Sequence, residues 1–273
     1  MPTITILVNN TAEDNLRSEH GLSLWIEYKG KKILFDTGQT SAVTGNAEKI
    51  GVDLTSTDTV ILSHGHYDHT GGIPAVFEIA KKASLYLHPN AIDERYSKKP
   101  GKIKNVGMSE ASREIIKSKA EEGRTVSTRT PTEVFPGFFV TGKIPRNNSF
   151  EDTGGNFYLD KDCSIPDELP DDQAAFYKTD KGLTVILGCA HSGVVSTLDY
   201  IKKLTFSQNI YTVIGGMHLL NASEDRINKT IKSLKENKVE NISPAHCTGN
   251  SAKIKIKNAF GSKCFECYDG MKI

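Results

Sequence analysis

The chain has 273 residues, of which 37% are hydrophobic and 25% charged, a composition that excludes disordered and collagen-like proteins. Its 34 basic and 33 acidic side chains give a net charge of +1, so no global field favours nucleic acid or an anionic membrane surface. No basic leader is present and no apolar run approaches the roughly 18 residues of a membrane span, which predicts a cytoplasmic protein. Five cysteines, an odd count, argue against a disulfide framework.

The first third of the chain predicts β-strands. Short β-rich runs cover residues 3–8, 22–28 and 31–35. Lys29-Gly30 lies between the last two runs and is typical of a hairpin turn. The chain therefore begins with antiparallel strands.

From residue 60 onward, strand-like and helix-like runs alternate. Predicted strands at 60–62, 183–187 and 211–214 precede predicted helices at about 73–83, 194–204 and 224–237. In the last helix, apolar side chains recur at helical spacing and Ser223 is a suitable N-cap. Such alternation predicts a layered α/β fold in which helices cover a sheet.

The middle of the chain is the least regular part. Residues 109–122 predict one helix, whereas 135–155 are rich in Gly, Pro and Asn and predict turns and loops. No low-complexity linker separates two halves. We therefore expect a single domain over residues 1–273 with a central insertion at about 90–172.

Four predicted strands end in a turn that carries histidine. These residues are His64, His191, His218 and His246. In layered α/β folds, ligands bind beyond the carboxyl ends of strands. The pattern therefore predicts that the four histidines converge on one site.

The strongest chemical signal is the run His64-Gly65-His66-Tyr67-Asp68-His69 directly after a predicted strand. Four potential ligands within six residues allow one short loop to serve two cations. Three imidazoles and one carboxylate suit zinc first, with iron or manganese as alternatives. A solvated polar loop or a capped helix start is the competing structural interpretation.

This motif cannot complete two metal sites alone, because each catalytic ion takes about three protein ligands. We expect His191 and His246 to supply the missing ligands, with His218 a weaker candidate and His20 and His88 weaker still. Asp36 ends another predicted strand. Its carboxylate is placed to accept the second imidazole N–H of a ligating histidine, or else it only organises the turn before Gly38.

The cysteines and the C-terminal lysines suggest structural roles. Cys189 could be a soft or bridging ligand, but a buried inert thiol is the favoured interpretation. Cys264 and Cys267 have no second Cys pair, so we expect them to pack near a terminal strand rather than to bind zinc. The lysines at 253, 255 and 257 predict a solvated face.

Taken together, these motifs resemble the metallo-β-lactamase superfamily, and within it the dihydropterin-methyl-ribofuranosylaminobenzene phosphate synthase branch. The resemblance implies an α/β fold built as a four-layer αββα sandwich, with a binuclear metal site at one edge of the sheets. The segments that carry it span nearly the whole chain: 19–23, 34–38, 63–72, 142–146, 171–173, 188–193, 214–219 and 246–249.

Two segments depart from the general superfamily pattern. Residues 142–146 contain no histidine, and Gly188-Cys189-Ala190-His191 stands where many relatives have a bridging aspartate. The resemblance therefore implies ligand roles for His64, His66, Asp68, His69 and His246, and also for His191, but no carboxylate bridge.

The expected function is that of a binuclear metal enzyme acting on a phosphorylated or pterin-like small molecule. It would be a hydrolase, or a synthase in which an arylamine displaces diphosphate. Asp68 is the predicted catalytic residue, which orients the nucleophile or moves its proton. Arg146, together with Lys143 on the same loop, is a candidate for binding a substrate phosphate, and His218 is a second candidate substrate contact.

Two other functions stay open on the sequence. A phosphodiesterase or nuclease of the same superfamily is disfavoured by the neutral charge balance. A non-catalytic metal-binding protein is possible because fold does not determine function. The sequence predicts a small-molecule partner, no membrane association and no nucleic acid, and it leaves the oligomeric state open.

Overall fold

The computed structural model describes residues 2–13 and 15–273. Its strands, in chain order, are β1 Thr3–Val8, β2 Ser23–Tyr28, β3 Lys31–Phe35, β4 Thr59–Ile61, β5 Ser84–Leu87, β6 Tyr96–Lys99, β7 Lys102–Asn105, β8 Thr125–Ser127, β9 Thr132–Phe135, β10 Phe138–Val140, β11 Phe157–Tyr158, β12 Ala175–Thr179, β13 Gly182–Leu187, β14 Ile210–Gly216 and β15 Asn241–Ala245. The helices are α1 Ala42–Lys49, α2 Tyr67–Thr70, α3 Ile73–Ile79, α4 Glu110–Glu121, α5 Val194–Thr205, α6 Glu224–Glu236 and α7 Asn250–Phe260.

The strands form two six-stranded sheets and a small third one. The first sheet has the order β1-β2-β3-β4-β5-β8, and the second has the order β15-β14-β13-β12-β10-β9. In each large sheet, an antiparallel part leads into three or four parallel strands. The third sheet, β11-β6-β7, lies outside this pair. Residues 90–172 thus contribute strands to all three sheets; that the whole chain is one domain stays a prediction.

Side-chain alternation along the strands divides the core into three layers. Ile33 and Phe35 of β3 face the second sheet, whereas Leu34 faces the helices α1 and α3. On β13, Ile186 points between the sheets, whereas Val185 packs against α5 and α6. Because successive strand residues point to opposite faces, each sheet has one face on its partner and one face under helices. The result is the expected four-layer αββα sandwich.

Most of the predicted elements are confirmed. Helices α4, α5 and α6 lie within one or two residues of their predicted bounds, and the Ser223 side chain caps α6 by accepting from the Arg226 N–H. Helix α3 ends at Ile79, four residues early, and α1 and α7 are additional helices. Cys264 and Cys267 are buried, and Cys264 bridges to Ile242 of β15, as expected for packing near a terminal strand.

Within the described residues, no helix is long and apolar enough to cross a lipid bilayer.

Candidate metal centre

The carboxyl ends of four parallel strands bring the predicted histidines together. His64 follows β4, and His191, His218 and His246 follow β13, β14 and β15 in the facing sheet. Ring centroids of His64 and His191 lie 4.8 Å apart, and those of His191 and His218 lie 4.3 Å apart. The ring of His246 lies 5.0 Å from that of His69. The structure therefore joins both sheets in one imidazole cluster.

The 64–69 loop supplies the centre of this cluster. The His64 Nε2 and His66 Nδ1 atoms are 2.9 Å apart. Helix α2 begins at Tyr67, so Asp68 and His69 lie on its single turn, while the His66 carbonyl accepts from the His69 N–H. Because the helix starts directly after His66, Asp68 and His69 lie within one turn of the two loop histidines.

A buried ion-pair network holds this loop in place. The Gly65 N–H donates to Asp171 Oδ2 at 2.8 Å, and Arg95 donates to both oxygens of the same carboxylate. Arg95 also pairs with Asp167 at 2.9 Å, and its side chain is fully buried. A Cβ at Gly65 would lie 1.9 Å from the Ala91 carbonyl oxygen, so glycine is required where the loop crosses this backbone.

Several residues of the site have left-handed backbone conformations. Asp36, Ala190, His218 and His246 have φ values of 60°, 54°, 43° and 45°. Non-glycine residues in this region carry strain that the surrounding structure must hold, and such residues concentrate at functional sites. Each of them lies immediately after a strand or in the turn that follows it.

Asp36 lies beneath the cluster and contacts His69. Asp36 Oδ2 accepts from the His69 Nδ1–H at 2.7 Å, while the Ser63 N–H and hydroxyl donate to the same carboxylate, both at 2.7 Å. Burial acts to lower the pKa of His69, but the charge and hydrogen bond of Asp36 outweigh it and raise that pKa to about 9. The contact orients His69 Nε2 toward Cys189.

Backbone and amide oxygens orient two further imidazoles. His191 Nδ1 donates to the Thr153 carbonyl at 2.7 Å, and His246 Nδ1 donates to Asn10 Oδ1 at 2.7 Å. These bonds leave Nε2 of both rings facing the cluster, where His246 Nε2 contacts Asp68. Within the described part of the chain, His191 Nε2 and His66 Nε2 are buried without a hydrogen-bond partner.

Asp68 lies at the opening of the cluster. Its Oδ2 is 3.1 Å from His20 Nε2 and 3.2 Å from His246 Nε2. Burial acts to raise the pKa of Asp68, but the hydrogen bonds of His20 and His246 prevail and hold that pKa well below its ordinary value. Asp68 is therefore ionised, and half-exposed His20 connects it to solvent.

Two cysteines complete the cluster. Cys189 Sγ lies 3.1 Å from His69 Nε2, and Cys247 Sγ lies 3.7 Å from the Cys189 carbonyl oxygen. Both side chains are buried. Burial raises the pKa of the Cys189 thiol.

The donor set fits divalent metal ions. Ligand atoms lie within 4.8 Å of one another in four groups, which are His64/Cys189/His191, His69/Cys189/His246, Cys189/His218/Cys247 and His20/Asp68/His246. Burial lowers the pKa of His66 to about 3 and the pKa values of His64 and His191 well below their ordinary value. These imidazoles are neutral, which is the form that binds a metal ion. Buried nitrogens without partners and neutral imidazoles indicate room for cations rather than a closed structural network.

A cavity of about 920 Å³ opens onto the cluster. His66, Asp68, Cys189, His218 and His246 line its floor, while His64, His69 and His191 lie beneath the surface with no exposure. One wall is the β6–β7 hairpin, and we call its four lysines, Lys98, Lys99, Lys102 and Lys104, the lysine hairpin. In the described residues, none of the four pairs with an acidic side chain.

A buried guanidinium also lines the cavity. Arg226 of α6 lines the cavity and pairs with Asp152. Phe157 of β11, which pairs with β6 of the hairpin, has its ring 4.9 Å from that of His66 and 5.4 Å from that of His191. The cavity therefore combines a polar floor, cationic walls and one aromatic surface.

Arg146 and His88 lie elsewhere. The Arg146 guanidinium donates to Glu168 Oε2 at 2.8 Å and to the Glu168 carbonyl at 2.7 Å, and it does not line the cavity. Lys143 is exposed and also does not line it. His88 accepts from the Asn90 N–H and caps a short helical turn. The placement of Arg146 does not favour its expected role as a phosphate clamp, because both terminal nitrogens of its guanidinium are engaged by protein oxygens and the side chain does not line the cavity.

Sequence reasoning missed several residues of this site. Cys247 directly follows His246, and its position after a strand was the available signal. Arg226 lies in the first turn of α6 and is buried, which the polar pattern of that helix does not indicate. The lysine hairpin lies within residues 90–172, where the sequence shows no regular strand pattern.

The comparisons with known proteins agree with this geometry. The family model described as metallo-beta-lactamase superfamily matches residues 17–200. A 7,8-dihydropterin-6-methyl-4-(beta-D-ribofuranosyl)-aminobenzene-5'-phosphate synthase of Methanocaldococcus jannaschii is 35% identical over 253 residues, which cover 89% of this chain and 85% of the synthase. An uncharacterized protein of the same organism is 32% identical over 93% of both chains. Among solved structures, a metal-dependent hydrolase of the beta-lactamase superfamily superimposes with a TM-score of 0.84 at 30% identity, over 100% of this chain and 98% of the hydrolase.

Proposed function

This chain belongs to the metallo-β-lactamase superfamily, and we propose that it is a binuclear metal-dependent enzyme acting on a phosphorylated, pterin-like small molecule. The reaction proposed is displacement of diphosphate from a dihydropterin methylene carbon by an arylamine that carries a ribose phosphate. The main support for this proposal is that one cavity is lined both by residues of the imidazole cluster and by lysines that have no acidic partner among the described residues. The 35% identity to the synthase supports this choice of substrates.

Two divalent ions, zinc first, would be held by the residues already described. His64, His66 and His191 would serve one ion, and Asp68, His69 and His246 the other, on the donor chemistry of the cluster. When bound, the ions would act as Lewis acids on diphosphate oxygens.

The walls of the cavity would bind the phosphate of the arylamine. Exposed lysines without carboxylate partners favour an anionic ligand, because solvent ions are the main balance for their charges; Lys104 also lies 3.9 Å from the centroid of the Tyr67 ring. Arg226 contributes a fifth cation to the cavity lining, with Asp152 fixing its plane. A flat pterin ring fits against Phe157, since aromatic faces prefer stacked contacts.

Asp68 and His20 would accept the proton of the arylamine and transfer it to solvent. When the arylamine nitrogen bonds to the methylene carbon, the carbon–oxygen bond to diphosphate breaks and the nitrogen loses a proton. Asp68 Oδ2, ionised and at the cavity surface, is the acceptor, and His20, 3.1 Å away, passes the proton to solvent. Phe157 limits water near His66, which favours the amine over hydrolysis.

The direct test uses the full chain loaded with zinc. It is mixed with dihydropterin-methyl diphosphate and ribofuranosylaminobenzene phosphate, and products are followed by mass spectrometry and diphosphate release. The proposal expects the condensed product with one diphosphate per product. Diphosphate release at the same rate without the arylamine would contradict a synthase and indicate a hydrolase.

Two variants separate catalysis from folding. His66→Ala should abolish product formation and remove about one equivalent of metal, because the ring is part of the cluster. His88→Ala is the matched control, since its ring is also buried but lies outside the cluster. Unchanged metal content in His66→Ala would exclude the proposed metal site. Cleavage of a generic phosphodiester in place of condensation would favour the phosphodiesterase alternative, and metal binding without any turnover would favour a non-catalytic protein.

A further inference from the structure

Cys189 belongs to two groups of side chains that could each hold a metal ion and that each contain two histidines. His64 and His191 form one candidate metal group with its sulfur, and His69 and His246 form another. In each group, the two imidazole nitrogens and Cys189 Sγ lie within 4.8 Å of one another. Cys189 is the member common to both groups.

The sulfur faces nitrogens rather than apolar side chains. Its Sγ is 3.1 Å from His69 Nε2. His191 Nε2 is buried and has no hydrogen-bond partner among the described residues, and the His191 and His246 rings are 0% and 3% exposed. A buried inert thiol is expected among apolar atoms, which is not the environment observed here.

Local backbone geometry fixes this position. Cys189 directly follows β13, and Ala190 after it has a left-handed φ of 54°. A Cβ at Gly188 would lie 2.1 Å from Ser63 Oγ, so the turn packs tightly against the residue that precedes the 64–69 loop. The strained turn thereby holds Cys189 within reach of histidines from both sheets.

We infer that Cys189 supplies a thiolate shared by both metal ions. This inference rests on the proposed binuclear function. On loading, the Sγ–H bond breaks, the proton passes to the buffer, and the sulfur lone pairs ligate both ions. A single negative charge between two dications reduces their mutual repulsion. Cys247 is not part of either histidine group; it joins Cys189 only in the group with His218.

The test uses the full chain stripped of metal and titrated with cobalt(II), whose bonds to thiolates give charge-transfer absorption in the near ultraviolet. The inference expects this absorption to grow across two equivalents of cobalt. Cys189→Ser should lose it and bind the second equivalent at least about tenfold more weakly. Cys189→Asp, which retains a negative ligand of similar reach, should lose the absorption but recover much of the affinity. Circular dichroism and thermal unfolding verify that both variants fold.

Two control variants separate this role from a neighbouring one. Cys247→Ser and Cys267→Ser should keep the absorption. Cys247 belongs to neither of the two groups in which Cys189 lies with two imidazoles, and Cys267 is buried elsewhere. Absorption that grows over one equivalent only, that persists in Cys189→Ser or that disappears in Cys247→Ser would overturn the inference. Two bound ions without sulfur ligation would leave the proposed function standing, whereas a wild-type chain that binds no ions would overturn both.

Discussion

Asp36 Oδ2 lies 2.7 Å from His69 Nδ1, and both side chains are fully buried. The carboxylate fixes the ring so that Nε2 faces the cluster, and it holds the pKa of His69 at about 9. In a metal site, such a partner orients a ligand and increases its basicity. Asp36 contacts His69 and does not line the cavity, so we propose that it positions this imidazole.

Replacing Asp36 with Asn should weaken binding of zinc by about 10- to 100-fold, the range typical for losing such a partner. Competition with a chromophoric chelator measures the change. Asp53→Asn is the control, because Asp53 caps a short exposed turn and has no contact with the cluster. Equal zinc affinity in Asp36→Asn and wild type would show that the contact does not support metal binding.

The same pair predicts how zinc binding depends on pH. The pKa of His69 is about 9 in the metal-free protein, so below that pH a metal ion must displace its proton. Apparent affinity should therefore fall by up to about tenfold per pH unit as pH falls below about 9 on account of this ring. Without the Asp36 charge the pKa of His69 drops, so the profile of Asp36→Asn should be shallower near neutral pH. Parallel profiles from competition titrations would contradict this assignment.

The sequence predicted the site better than its surroundings, for a physical reason. His64, His191, His218 and His246 each follow a predicted strand, and parallel strands bring their carboxyl ends to one edge. Local pattern and topology therefore agree at these positions. The tautomers of His191 and His246 could not be predicted, because they depend on Thr153 and Asn10, whose distance in sequence gives no local signal.

The cavity walls were harder to predict than the floor. The lysine hairpin consists of short, exposed strands whose polar residues lack the alternation of a half-buried sheet. Arg146 was a reasonable phosphate ligand by charge and loop position, but Glu168, 22 residues away, engages it. Helix α7 carries Lys253, Lys255 and Lys257. These lysines recur at every second residue, a spacing that does not indicate a helix.

The lysine hairpin should contribute to substrate binding rather than to turnover. Lys98→Gln and Lys102→Gln should each raise KM for the phosphorylated arylamine about two- to fivefold with little change in kcat, since exposed charge pairs contribute modestly. Steady-state kinetics at low ionic strength measures this effect, and added salt should reduce it. Lys117→Gln on the exposed face of α4 is the matched control. An equal rise in KM for the two hairpin variants and the Lys117→Gln control would contradict a role of the lysine hairpin in substrate binding.

The Asp171–Arg95 pair should be critical for stability. Asp171→Ala leaves a fully buried guanidinium with Asp167 as its remaining carboxylate and frees the Gly65 N–H. Breaking a buried pair in this way typically costs about 3 to 5 kcal/mol, which urea unfolding would measure. Glu168→Ala removes a carboxylate that is 77% exposed and also pairs with an arginine, so it should change stability little. Similar losses in the two variants would show that burial of the pair does not matter.

Asp269 provides a pH test that is independent of the metal site. Burial raises its pKa to about 8, although the Asn9 N–H acts to lower it, and the charge of Glu19 adds to the rise. Because this folded-state pKa lies above the ordinary value of 3.8, the native state binds the proton more tightly than the unfolded chain. The resulting stabilisation is complete below about pH 4 and is lost as pH rises through about 8.

Asp269→Asn should therefore match wild type in unfolding free energy at or below about pH 4 and exceed it increasingly as pH rises toward 9, because the amide carries no charge to bury. Urea unfolding of both proteins at several pH values measures the difference. Asp162→Asn, at an exposed position, should follow wild type throughout. A difference between Asp269→Asn and wild type that does not change with pH would mean that the carboxyl is already ionised in the folded protein, because only a proton held in the native state alone makes the two curves diverge.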